Sequence, residues 1–199
     1  MKSFLMRAVA ILALGVSLMP PLASAQTALV IKPLVEKKVA ALPAGDLFWR
    51  IENFAALEQA KAAAGEWSLA AESAGKVWLF TLGPAAASTP SGSKVAEVGP
   101  IARVTANEYL LRINEASGPP GAMTPVHSHP GSEAFFVVAG EQSIRGAHGT
   151  MVVKAGQPEP GHGAAMAMQV SSTGSVNLHS LVMFVVDAGK PFSSPATLP

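Results

Sequence analysis

GAMTPVHSHPGSEAFFVVAG, residues 121–140, carries His127, His129 and Glu133 within seven positions. On a strand, side chains at i and i+2 share one face, so His127 and His129 aim two imidazoles the same way. Pro130 and Gly131 then turn the chain. Glu133 opens the apolar run Ala134–Ala139 and can bring a carboxylate back toward the same point. Two neutral imidazoles and one carboxylate form a donor set for a divalent first-row metal. The pattern predicts that the three side chains converge inside one fold element pair.

Written out, the spacing is Gly121-x5-His127-x-His129-x3-Glu133-x6-Gly140. It resembles the first motif of the cupin superfamily at each defining position. The resemblance implies an all-β fold, the cupin double-stranded β-helix or jelly-roll barrel. It also implies a divalent metal ion (Zn, Mn, Fe, Ni or Cu) held by His127, His129 and Glu133, with a further His from a second motif. That second motif runs G-x5-P-x-G-x2-H-x3-N in the family. Here the corresponding stretch is GQPEPGHGAAMAMQVSSTG, from Gly156 to Gly174. Aligning Ser172-Thr-Gly174 on the family's Asn-x-Gly puts Met168 at the His position and Ser172 at the Asn position, with one inserted residue and without the Pro-x-Gly turn.

The fourth position therefore has three candidates. Met168 offers a soft thioether, tolerable for copper, and otherwise fills core. His162 lies six residues earlier on a Gly-rich loop that folds inward or stays exposed. His179 lies on a later strand in phase with Leu181 and Met183, as a ligand or as a satisfied barrel histidine. His148 sits at the turn Gly146–Gly149 and reads as solvated.

Around this stretch the chain reads as one domain of short strands. Leu47–Ile51, Trp67–Ala71, Val77–Leu82, Tyr109–Asn114, Ala134–Ala139, Glu141–Arg145, Thr150–Lys154, Met166–Val170 and Leu178–Val186 are the strand candidates. A short N-terminal helical extension is expected at residues 54–64, capped by Asn53 and stopped by Gly65. Residues 26–45 read as a linker with a helical tendency at Leu34–Ala41. Residues 46–190 form the cupin domain with its extension, the core barrel covering about 100–190. Gly83–Pro100 reads as a mobile surface loop, and residues 191–199 as a fraying Pro-rich tail.

Residues 1–25 read as a cleavable signal peptide: Lys2 and Arg7, the apolar Ala8–Met19, then Ala23-Ser24-Ala25. Gln26 would begin a periplasmic or secreted protein. The 14 basic and 13 acidic side chains give a net charge of +1 without a basic patch, which excludes a nucleic-acid partner. Cysteine is absent, so there is no disulfide, thiolate site or Cys nucleophile. The 18 Gly and 16 Pro suit a turn-rich all-β chain.

The expected partner is a small-molecule ligand or substrate, with a homodimer as a further option and no membrane once the leader is cleaved. Phe135, Val137, Met166, Met168 and Met183 are expected in an apolar cavity wall. Two functions compete. One is a metalloenzyme of oxygenase or isomerase type, in which the metal acts as Lewis acid or oxygen activator. The other is a non-catalytic periplasmic module that binds metal or a small ligand. No second carboxylate or Lys near the motif offers itself as an acid–base partner.

Overall fold

The run Ala134–Ala139 is apolar on both strand faces because both faces are covered. In the computed structural model, which describes residues 27–198, it belongs to β8 (Gly131–Ala139). Beside it run β13 (Leu178–Asp187) and β6 (Tyr109–Gly118). The sheet is completed by β1 (Val30–Val39) and β11 (Pro158–Glu159), in the order β1-β6-β13-β8-β11. Alternate residues of the three long strands divide cleanly between two cores, as strand geometry requires. Leu111, Ile113, Ala134, Phe136, Leu181 and Met183 face one core. Ala116, Phe135, Val137, Val182 and Phe184 face the other.

The first core is closed by an outer antiparallel sheet of β2 (Leu47–Phe54), β3 (Ser68–Ser73), β4 (Lys76–Gly83) and β5 (Ser93–Ile101), ordered β3-β4-β2-β5. Trp49, Trp78 and Phe80 point inward from it and are fully buried. Trp78 meets Phe136 of the middle sheet edge-on, with ring centroids 6.1 Å apart, and its indole N–H donates to Ser73 O at 2.8 Å. The short helix α1 (Leu57–Ala63) caps this sheet through Ala60, which packs with Phe54 and Leu79.

The second core is closed by β7 (His127–Ser128), β9 (Glu141–Gly146), β10 (Gly149–Lys154), β12 (Met168–Ser172) and β14 (Ser194–Pro195), ordered β10-β9-β12-β7-β14. The middle and inner sheets form the barrel, and the functional stretch lies between them.

Four expectations are corrected. The linker at residues 26–45, with its helical tendency, is the edge strand β1, paired with β6 from Val30↔Ser117 to Val39↔Tyr109 with an irregularity after Pro33. The barrel therefore draws on residues well before 100. Its sequence hid this, because an edge strand rich in Lys and interrupted by Pro buries only Val39.

Gly83–Pro100 is not a loop throughout; it supplies β5, paired with β2. The turn before it is fastened by Thr89, whose N–H donates to Glu52 Oε1 at 2.9 Å and whose hydroxyl donates to Glu52 Oε2 at 2.6 Å. Asn53 does not cap α1: Ala56 stands at that position, and the Asn53 amide donates to Val77 O at 3.0 Å instead. The tail is not without structure, since Ser194 and Pro195 pair with Ser128 and His127. The leader expected at residues 1–25 lies outside the described residues. Among the described residues, no helix is long and apolar enough to cross a membrane.

Candidate metal centre

β7 is only His127-Ser128, held between β12 and β14. Each motif imidazole is fixed by a backbone carbonyl. His127 Nδ1 lies 2.9 Å from Pro125 O and His129 Nδ1 lies 2.6 Å from Phe192 O. A carbonyl only accepts, so Nδ1 carries the proton in both rings. The Nε2 lone pairs are thereby left free, the tautomer a metal-binding imidazole needs. His129 is wedged between Phe184 and Phe192, each 4.8 Å away by ring centroids.

Glu133 enters from β8 and is 2% exposed. Its Oε2 lies 3.9 Å from His129 Nε2, and its Oε1 lies 4.0 Å from His162 Nδ1. Among the described residues, neither Glu133 Oε1 nor His162 Nδ1 has a hydrogen-bond partner, although both atoms are buried.

His162 reaches the carboxylate because the loop 161–165 is laid against the motif. Glu133 N donates to His162 O at 3.2 Å, and Ala165 N donates to His129 O at 2.8 Å. Gly161 permits that approach: it adopts φ +62°, and a Cβ there would stand 2.6 Å from Glu133 O. Of the other candidates, Met168 is the direct cross-strand partner of His127 and is 1% exposed. It packs in the second core beside Val170. His179 is turned to the opposite side of the sheet. Its Nε2 contacts Ser73 Oγ at 3.0 Å and Glu115 Oε2 at 3.3 Å, a satisfied structural cluster away from the cavity. His148 is exposed, as its turn position suggested.

The full convergence expected of His127, His129 and Glu133 is not met. His129 and Glu133 approach each other, but His127 stands edge-on to His129 with centroids 5.0 Å apart. Among the described residues, no three His, Cys, Asp or Glu side chains are already closed around one point. The carbonyl of Pro125 holds the His127 ring back, and the carboxylate leans between His129 and His162.

All three motif side chains nonetheless line one cavity of about 510 Å³. Its walls include Phe135, Val170, Val182, Phe184 and Phe192. Met183 faces the other core, against expectation, since it is out of phase with Val182 and Phe184. Val137 and Met168 pack in the second core without lining the cavity, and Met166 does not line it either. Sequence reading missed Arg112, Asn114 and Phe192, which also line it. The first two were legible as alternate residues of a strand, but only if its polar face was taken as the inside.

Two antiparallel sheets wound face to face, with His-x-His on one inner strand and Glu on the strand that faces it, are a recognisable arrangement. The fold is a cupin barrel. No protein-family model matches the chain, and no curated protein matches it either. Similar solved structures include a cupin-like protein of Thermotoga maritima, at 16% identity and TM-score 0.37, covering 44% of this chain and 65% of that one. A Klebsiella pneumoniae protein with a double-stranded β-helix domain matches at 19% and 0.38, covering 44% and 75%. A DMSP lyase of Ruegeria pomeroyi matches at 21% and 0.38, covering 43% of each chain. The likeness spans less than half of this chain and is one of cupin fold alone.

Burial alone raises the Glu133 carboxyl from 4.5 to about 8. Burial also lowers His129 from 6.5 to about 4, with smaller pushes from His127 and Arg112. Native Glu133 thus binds a proton that the unfolded chain has released, and the metal-free protein loses stability as pH rises through that window. His129 acts oppositely, stabilising as pH rises from 4 to 6.5. The two offset each other between 4.5 and 6.5, leaving Glu133 alone above 6.5. Denaturation of chelator-treated protein should show a loss of about 2 kcal/mol from pH 6.5 to 8. Glu133→Gln should flatten that limb; an equal slope in the variant would show that Glu133 is not its source.

Proposed function

We propose that this chain is an exported metal-binding cupin that holds a divalent first-row ion through His127, His129 and Glu133 and takes a small molecule into the adjoining cavity. The observation that carries the reading is the buried carboxyl of Glu133: among the described residues its Oε1 lacks a hydrogen-bond partner, and its two oxygens face His162 and His129. A buried carboxyl without a partner is held in its neutral form by burial and gives up that proton most readily to a cation, and the donor set of imidazole nitrogens and one carboxylate suits Zn, Mn, Fe, Ni or Cu. When bound, the ion would supply Lewis acidity toward a substrate oxygen. The chain's own residues do the rest: the Pro125 and Phe192 carbonyls hold the imidazoles in the binding tautomer. Phe184 and Phe192 keep water from the inner face of His129.

Export rests on the order of charge, apolar run and Ala-Ser-Ala in residues 1–25, and implies a periplasmic or secreted protein. Elemental analysis of untagged mature protein tests the metal. About one ion per chain is expected, and protein free of metal even after incubation with each candidate ion would overturn it.

His162 serves as the neighbour of the carboxylate, 4.0 Å from Oε1. Its replacement by Ala should weaken metal binding by roughly 10- to 100-fold, the range for a partner that orients a ligand. His179→Ala, acting on the far side of the sheet, should leave affinity unchanged. Equal effects of the two would remove His162 from the site.

A second reading, a binding module without turnover, is favoured by the lining. Among the described residues around the cavity, Glu133 is the one carboxylate. Bound as a ligand, it leaves no carboxylate to move a proton, so a reaction would have to use the metal alone.

A further inference from the structure

The cavity that adjoins the metal centre has a second charged feature. Arg112 on β6 and Glu133 on β8 are both Cα partners of Phe184 on β13. The three side chains therefore stand in one row across the sheet, facing the same way. Neighbouring strands are about 4.8 Å apart, so the Arg112 and Glu133 backbones are separated by about 10 Å. Phe184 fills the floor between them, and Phe192 from the C-terminal segment covers the row, its ring 4.4 Å from the Arg112 guanidinium carbon.

Arg112 is held but not neutralised. Its Nε–H donates to Asn114 Oδ1 at 3.0 Å, and Asn114 is itself 3% exposed. The remaining contact is NH1 to Glu36 at 3.5 Å, and that carboxylate is 56% exposed and solvated. The guanidinium side chain is 19% exposed and lines the cavity, where Glu133 is the one carboxyl group among the described lining residues. Pinning Nε on Asn114 beside the Phe192 ring leaves the terminal N–H groups without a hydrogen-bond partner among the described residues, as a fork that can pair with a carboxylate.

We propose that the cavity binds a small monocarboxylate with an apolar body, its carboxylate on Arg112 and its body against the wall formed by Phe135, Val182 and the edge-on pair Phe184 and Phe192, whose ring centroids lie 4.9 Å apart. This rests on the metal reading above only for the far end, where an oxygen of the ligand would meet the ion held by His127, His129 and Glu133. The cavity volume of about 510 Å³ is in the range of small-molecule sites. A dicarboxylate or sugar is disfavoured because the span between the two polar ends is lined by Phe135, Val182, Phe184 and Phe192.

The test is calorimetric titration of full-length mature protein with 3-phenylpropanoate and with 3-phenylpropan-1-ol, which differ at the carboxylate. It is run on chelator-treated and on zinc-loaded protein. The carboxylate should bind and the alcohol should bind at least about tenfold more weakly, the loss typical of a missing charge-assisted pair. Arg112→Met should lose carboxylate binding by about the same factor while zinc uptake stays at the wild-type level. If Arg112→Met fails to fold, Arg112→Lys keeps the charge but not the fork and should still be measurably weaker. Equal affinity for acid and alcohol, no binding of the acid at all, or wild-type affinity in the folded Arg112 variant would overturn the proposal. Carboxylate binding that depends on Arg112 in a protein that takes up none of Zn, Mn, Fe, Ni or Cu would instead overturn the metal reading and leave this one standing.

Discussion

Replacing His127 and His129 together by alanine should abolish uptake of a divalent ion while the barrel stays folded. Both imidazoles present a free Nε2, because each Nδ1–H is committed to a carbonyl. Removing them leaves Glu133 with no nitrogen from the motif. The affinity loss should exceed the roughly 100-fold that follows from losing a mere orienting neighbour. A thermodynamic readout accompanies the stoichiometry. At a metal concentration about 1,000 times the dissociation constant, binding stabilises the wild type by about 4 kcal/mol, and the double variant should show no such gain. Its far-ultraviolet spectrum should stay that of a β protein, since most of the core lies elsewhere. Wild-type metal content in the double variant would end the assignment.

The largest loss of stability should come from Trp78→Ala. Trp78 is 1% exposed and sits where the outer sheet meets the middle one, against Phe80 and Phe136. Its removal opens a large hole and leaves Ser73 O without the indole donor. A cost of about 3–5 kcal/mol is expected in chemical denaturation. Because the site faces the other core, chemical probes of metal binding in the still-folded fraction should be unaffected. A loss below about 1 kcal/mol would mean that the outer sheet does not depend on this packing.

The motif stretch was legible because its chemistry is local: His-x-His, a Pro-Gly turn and a Glu are all set by nearest neighbours. The strands β6, β8, β9, β12 and β13 were legible for the same reason, each carrying an apolar pattern of its own. What sequence reading missed depends on what lies on the far side of an element. Lys32, Lys37 and Lys38 made β1 look like a solvated linker, whereas an edge strand also exposes such residues. Pro100 made β5 look like a loop end, although it sits next to Ile101, the last residue of that strand. Met183 stands outside the cavity wall because β13 is covered on both sides, so odd and even residues enter different cores. Arg112 and Asn114 were passed over as a polar strand face, which in a barrel opens on the interior. No local signal marked Phe192, since its role arises from β14 returning to β7.

That return is slight. β14 is Ser194–Pro195, joined to β7 through two residue pairs, with Ala196 N donating to Val126 O at 3.2 Å. Segments with so few ladder bonds open locally at far lower free energy than the whole domain. Peeling residues 192–196 withdraws one wall of the cavity and the carbonyl that orients His129 in a single movement. Entry to the cavity is therefore expected to need less of the fold to open at the C-terminal segment than between the sheets.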